Sequence, residues 1–222
     1  MNHLGARDAG TALRSVALFA GADDQELSRL ASTAFPRRLA RGQVLFVEGE
    51  RSEHLYVVDR GRVKVLVSSA RGDELVLSVL GPGDCLGELS VLDGADRSAT
   101  AVALDDVALW CVPAEAVRTL LGRSPAVALA VAEELAGRVR RLTGAAADLV
   151  FLDLPRRLAK LLVGVDGPGV ADLNQSELAA QLGVTRQSLN RALQRLQDRG
   201  WVAVDHGVHV VDAAALGKFA DS

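Results

Sequence analysis

Cysteine, histidine, net positive charge and long apolar runs are all scarce in this 222-residue chain, and each shortage removes a class of function. The two cysteines, Cys85 and Cys111, are too few for a disulfide framework or a four-thiolate cluster, and they read as buried, reduced thiols. The four histidines (His3, His54, His206 and His209) are scattered, which argues against a metal enzyme that needs clustered imidazoles and carboxylates. A formal net charge of −3 argues against coating nucleic acid by bulk charge, so any nucleic-acid site must be a local patch. No apolar run reaches the ~18 residues of a membrane helix. The N-terminus lacks the charged-then-apolar pattern of a signal peptide. The expected setting is the cytoplasm, with no membrane partner. What remains, 49% hydrophobic and 24% charged, is a globular composition long enough for one or two domains.

Residues 1–10 are small and polar and read as a loose tail. Leu13 to Leu30 reads as short helical pieces, with Asp23, Asp24 and Glu26 where acids suit a helix N-terminus. From Arg41 short β-branched runs take over: Val44–Val47, Leu55–Val58, Val63–Val67 and Leu75–Leu80. Turn signals such as Glu48-Gly49-Glu50, Asp59-Arg60-Gly61 and Gly81-Pro82-Gly83-Asp84 separate them. A final strand pair covers Ser98–Leu104 and Val107–Val112. Strands recurring at this spacing predict an antiparallel barrel or jelly roll. From Pro113 the period becomes helical, with a short helix over Ala114–Leu121 and a long one from Pro125 to about Val150. Its apolar positions Val127, Leu129, Val131, Leu135, Val139, Leu142 and Leu149 form a seam with no partner of equal length in the chain. Such a seam pairs with its copy in a second subunit or packs on its own barrel. Asp153 and Pro155 open a further helix over 154–163, ended by Gly164, with Asp166–Gly169 as a loop.

Two stretches carry chemistry. Gly87-Glu88-Leu89-Ser90 followed by Arg97-Ser98-Ala99-Thr100 places a carboxylate, a guanidinium and approachable backbone amides close together in sequence. That set suits a sugar-phosphate, with donors for the anion and an acceptor for a ribose hydroxyl. Near the C-terminus, Asn174 or Ser176 can cap a helix over Glu177–Leu182, Gly183 can turn the chain, and Thr185 can cap a second helix through Arg199. This is a helix-turn-helix pattern. Projected at about 100° per residue from Arg186, Asn190, Gln187 and Arg191 fall between about 40° and 140°, while Leu189, Ala192, Leu193 and Leu196 fall opposite. The polar face can pair with base edges, and Arg195 and Arg199 are better placed for phosphates. Four Arg against one Asp over 185–199 give a local charge of +3 in an acidic chain. Trp201–Val204 and Val208–Val211, with Asp205-His206-Gly207 between them, read as a wing hairpin.

The order of these parts, together with Phe151-Leu152-Asp153, resembles the Crp/Fnr family of bacterial transcription regulators from about Leu13 to Leu216, and is most similar to its cyclic-AMP receptor branch. The resemblance implies an α+β fold: an antiparallel β-roll effector domain over 1–124, a long dimerisation helix and hinge over 125–152, and a winged helix-turn-helix over 153–222. It implies a dimeric, allosteric regulator with no catalytic residues, metal or fixed cofactor. Its partners would be a near-palindromic DNA operator and RNA polymerase. It places the effector, cyclic AMP or alternatively cyclic GMP, against Gly87, Glu88, Leu89, Arg97, Ser98 and Ala99. Glu88 would take the ribose, and Arg97 and Ser98 the phosphate. It places DNA against Thr185, Arg186, Gln187, Ser188, Asn190, Arg191 and Arg195.

The chain departs from the branch at two points. Where the branch has a Thr-Ser or Thr-Asn pair for the purine, this chain has Leu142 and Thr143. Leu142 cannot hydrogen-bond the adenine amine, which leaves cyclic GMP, another nucleotide or ligand-independent DNA binding open. In the recognition run, Gln187 stands where the family has a Glu that accepts from cytosine, and Gln prefers adenine. The two cysteines exclude the iron–sulfur branch, and His54 is the only axial haem candidate inside the roll.

Overall fold

β-Branched runs separated by turn glycines build two antiparallel sheets in the N-terminal half of the computed structural model. It describes residues 7–51, 53–70, 72, 74–164, 175–205 and 207–220. The elements run α1 (Ala9–Arg14), α2 (Asp24–Thr33), β1 (Phe35–Leu39), β2 (Val44–Phe46), β3 (His54–Arg60), β4 (Val63–Ser68), β5 (Glu74–Leu80), β6 (Cys85–Leu86), α3 (Glu88–Asp93), β7 (Thr100–Ala103), β8 (Val107–Pro113), α4 (Ala114–Arg123) and α5 (Pro125–Phe151). There follow α6 (Leu154–Val163), α7 (Gln175–Leu182), α8 (Arg186–Gln197), β9 (Val202–Val204), β10 (Val208–Val210) and α9 (Ala213–Ala220). The strand orders are β1-β8-β3-β6 and β2-β7-β4-β5, with β9 and β10 forming a separate hairpin.

Strand alternation divides the interior in two. Tyr56 and Val58 of β3 join Phe46, Val63, Leu86, Ala101, Leu109 and Cys111 in the core of the roll. Leu55 and Val57 point the other way, toward Leu13, Phe19, Leu27, Leu30, Val117, Val127 and Val131 of the helices. The start of α2 is fixed by a capping box, in which Asp23 accepts from the Glu26 amide and Glu26 accepts from the Asp23 amide. Gly21 is required for space, because a Cβ there would lie 2.5 Å from the carbonyl carbon of Ala126 at the start of α5.

The described chain divides into two compact units, 1–67 with 77–139, and 68–76 with 140–222. In the second, Asp153 caps α6 by accepting from the Arg156 amide, and Thr185 caps α8. Gly183 turns the chain between α7 and α8 at φ +65°. Leu158, Leu162, Leu178, Leu189, Leu193, Leu196, Val202, Val208 and Leu216 are buried there. Among the described residues no helix is long and apolar enough to cross a membrane.

Some elements differ from the sequence reading. Within the expected tail, Ala9 and Gly10 already belong to α1, whose start Asp8 caps. Phe35–Leu39 is a strand despite Pro36, whose missing donor is tolerated at the sheet edge where β1 lies. Ser98 lies before β7 rather than in it. The second helix of the pair ends at Gln197, and the chain turns at Gly200 with φ +73°. The final helix α9 was not anticipated. The expected loop 166–169, an Asn174 cap and His206 lie outside the described residues, and Ser176 is not a cap, because α7 already begins at Gln175. The apolar seam of α5 also splits: Val127 and Val131 are buried on the roll's helices, whereas Leu129, Val139, Leu142 and Leu149 stay exposed.

Arg7 pins the N-terminal segment to β3. Its Nε donates to Asp59 Oδ1 at 3.0 Å and its Nη2 donates to the Asp59 carbonyl at 3.1 Å. Asp59 is buried, and its Oδ2 has no partner among the described residues. Arg7→Ala therefore strands a buried carboxylate and is expected to cost about 1–3 kcal/mol. A urea titration would show a lowered midpoint, partly recovered by adding Asp59→Asn. An unchanged midpoint would remove Arg7 from the account of stability.

Candidate functional site

The first site forms where β6 runs into α3. Gly87 adopts φ +82°, and a Cβ on it would sit 2.9 Å from Arg97 Cζ, so only glycine lets the guanidinium come this close. The Arg97 backbone is pinned by two bonds, its amide donating to the Glu50 carbonyl and its carbonyl accepting from the Gly49 amide, both at 2.8 Å. Its side chain turns into the roll. Nη1 donates to the Gly87 carbonyl at 3.0 Å and Nη2 to the His54 carbonyl at 2.7 Å. The guanidinium lies 4.3 Å from the centre of the Phe46 ring and 5.4 Å from that of Tyr56, two rings that stack on each other. Arg97 is 4% exposed, and its Nε has no partner among the described residues. Burial presses its pKa below the ordinary value, opposed by Tyr56, Glu88 and Glu50. A guanidinium nevertheless stays charged. The site therefore holds a desolvated cation bonded to neutral carbonyls, with one donor left over, and that arrangement favours an incoming anion.

Glu88, 5% exposed, opens α3 and accepts from Arg138 Nη1 of α5. A buried carboxylate needs a cation or a set of donors, and Arg138 supplies the cation. The sequence reading did not single out Arg138. It stands one helical turn before Leu142, and that spacing was the available signal. Ala99 is buried, while Leu89 and Ser98 are exposed. Thus Gly87, Glu88 and Arg97 come together with Arg138. Leu142 and Thr143 lie in the second unit, exposed on α5. Cys85, in register with Val57 of β3, lies near Glu88 and Arg138. Among the described residues no three His, Cys, Asp or Glu side chains gather as a metal ion would need.

The second site is the exposed face of α8. Arg186, Gln187, Asn190, Arg191 and Arg195 are exposed, and Leu189, Ala192, Leu193 and Leu196 are buried, as the projection expected. Thr185 Oγ1 accepts from the Ser188 amide at 3.2 Å and donates to Ser188 Oγ at 3.1 Å. Ser188 Oγ also accepts from Arg191 Nη2 at 3.4 Å, so the two hydroxyls are engaged in capping the helix and steadying Arg191. Gln194, missed in the sequence reading, is exposed too, and its Nε2 donates to Asp198 Oδ1 at 2.8 Å. At about 80° on the same projection it lies on the polar face, so the projection itself could have found it.

Residues 36–124 match the family profile described as a cyclic nucleotide-binding domain, and residues 156–219 the one described as a Crp-like helix-turn-helix domain. The chain is 31% identical over 217 residues to the CRP-like cAMP-activated global transcriptional regulator of Mycobacterium tuberculosis, covering 93% of this chain and 97% of that one. It is 36% identical over 208 residues to the cyclic AMP receptor protein of Thermus thermophilus, covering 91% and 96%. Among solved structures, it resembles the Thermus thermophilus catabolite activator protein with a TM-score of 0.55 at 32% identity, covering 92% of this chain and 98% of that one.

Burial pushes the Cys85 thiol up to about 12, reinforced by the neighbouring Glu88 charge, and pushes Cys111 up to about 11. Cys111 is buried and Cys85 half-buried; because the thiolate is the reactive form, both should alkylate more slowly in the native protein at pH 8 than in the unfolded chain. Iodoacetamide labelling read by mass spectrometry, with and without urea, checks this. Rapid native labelling of Cys85 would contradict its placement.

Proposed function

We propose, from the premise that this chain belongs to the Crp-type family of DNA-binding transcription regulators with a cyclic nucleotide-binding domain, that it is a homodimer switched by cyclic AMP. The observation that carries this reading is Arg97. A cyclic phosphate supplies the anion that the buried guanidinium lacks, with the unpartnered Nε as a further donor. Glu88 accepts from a ribose hydroxyl. The two relatives named for cyclic AMP support that nucleotide over cyclic GMP.

The signal route follows from Glu88. Its carboxylate already holds Arg138 of α5, so a ribose hydroxyl arriving there shares or displaces that bond. Ligand binding is thereby felt by the long helix. On α5, Leu129, Ala132, Ala136, Val139, Thr143, Ala146 and Val150 are all exposed and recur at alternating steps of three and four. That is the a/d pattern of a two-stranded coiled coil, and it supports pairing with a second copy. Thr143 is then on the paired side, where a base at the subunit boundary can reach it. Pairing sets two α8 helices about 34 Å apart over a near-palindromic operator. The ligand need only bind the DNA-competent form better. RNA polymerase is the expected downstream partner.

Ligand-independent DNA binding is the second reading. Arg138 already neutralises Glu88, and Leu142 offers no hydrogen bond to a purine.

Two measurements decide between these. Arg97→Ala is expected to abolish the increase in operator affinity produced by cyclic AMP while leaving the folded protein able to bind DNA weakly, as read by fluorescence anisotropy. Undiminished stimulation would refute the assigned role, and no stimulation of the wild type by either cyclic nucleotide favours the second reading. Gln187 should shift preference at the base pair that Glu reads in TGTGA, the half-site of the cyclic-AMP receptor branch, toward an adenine partner, by about 1–3 kcal/mol. Competition among duplexes varied at that pair measures it, and an unchanged preference for cytosine would overturn it.

A further inference from the structure

At the far end of α8 from the base-reading residues, two arginines rest on an aromatic platform. The guanidinium of Arg199 lies 4.9 Å from the ring centres of both Trp201 and Phe219. That of Arg156, in the first turn of α6, lies 5.9 Å from the same Phe219 ring. The two rings are 5.2 Å apart. No carboxylate within the second unit's described residues forms an ion pair with either arginine, and four of its acids have other partners. Asp153 caps α6, Asp198 holds Gln194, Asp205 pairs with His209, and Asp212 caps the start of α9.

We propose that Arg156 and Arg199 form a phosphate clamp for the DNA backbone, separate from the base-reading face of α8; this rests on the DNA-binding reading above. A guanidinium stacked on a ring has its faces occupied, while its in-plane N–H donors remain free to fork onto phosphate oxygens. The platform also holds each side chain in place before contact, so less freedom is lost on binding. Arg195, one turn before Arg199, extends the basic strip back toward Arg191. Neither clamp residue lies among the polar positions of α8 that face bases. The clamp therefore adds affinity without reading sequence.

The test is a salt titration of DNA binding by the full chain with saturating cyclic AMP. It uses one duplex carrying two TGTGA half-sites and one scrambled duplex of the same length. Arg199→Gln and Arg156→Gln are each expected to weaken binding to both duplexes equally. Each should reduce the slope of log affinity against log salt by about 1 for each phosphate no longer neutralised. Thermal unfolding checks that the variants fold. If a glutamine variant does not, Arg199→Lys serves: it keeps the charge and the slope but loses the planar fork, and should bind both duplexes more weakly. Folded glutamine variants with wild-type slope and affinity, a lysine variant with wild-type affinity, or a changed ratio between the two duplexes would each overturn the clamp. Wild-type protein that binds neither duplex would instead overturn the DNA-binding reading itself.

Discussion

The buried guanidinium of Arg97 is the constraint around which the effector half is organised. A cation removed from water must be met by ring faces and acceptors, and the roll supplies Phe46, Tyr56 and the carbonyls of Gly87 and His54. The left-handed Gly87, the extended segment tied to Gly49 and Glu50, and the inward-facing aromatics of β2 and β3 all serve that one group. A carboxylate at the same place would neutralise it and close the site. Glu88, the acid whose charge acts most on it, is held by Arg138 instead. The site is thus cationic at one end and already paired at the other, which suits a ligand with an anion and a hydroxyl.

α5 serves three purposes with one sequence. Val127 and Val131 anchor it to the core of the first unit, Arg138 reaches Glu88, and an a/d stripe stays exposed. At about 100° per residue Val127, Val131 and Arg138 share one face of the helix, and the exposed stripe lies on the other. The missing side chain of Gly21 lets the first turn of the helix pack closely there. In the C-terminal unit, capping hydroxyls and a buried leucine row fix α8, leaving its polar side chains to outside contacts.

How much could be read beforehand depended on whether a feature is local. The β-branched runs, the glycine turns, the capping acids of α2 and α6 and the two-faced α8 are written in short windows, and they fold as those windows imply. The strand β1 escaped because Pro36 and two arginines disguise an edge strand. α9 escaped because its short alanine-rich run gives little periodicity of its own.

The sequence by itself determined the class of fold, the family and the two chemical neighbourhoods, because residue type and spacing along the chain specify each of them. Tertiary structure alone decided which charges meet. Arg138 and Glu88 are fifty positions apart, Arg97 and the His54 carbonyl forty-three, and Arg156 of α6 shares a ring with Arg199 from the turn after α8. Such pairings depend on how strands register and helices dock, and a desolvated charge takes whatever partner that packing brings within reach.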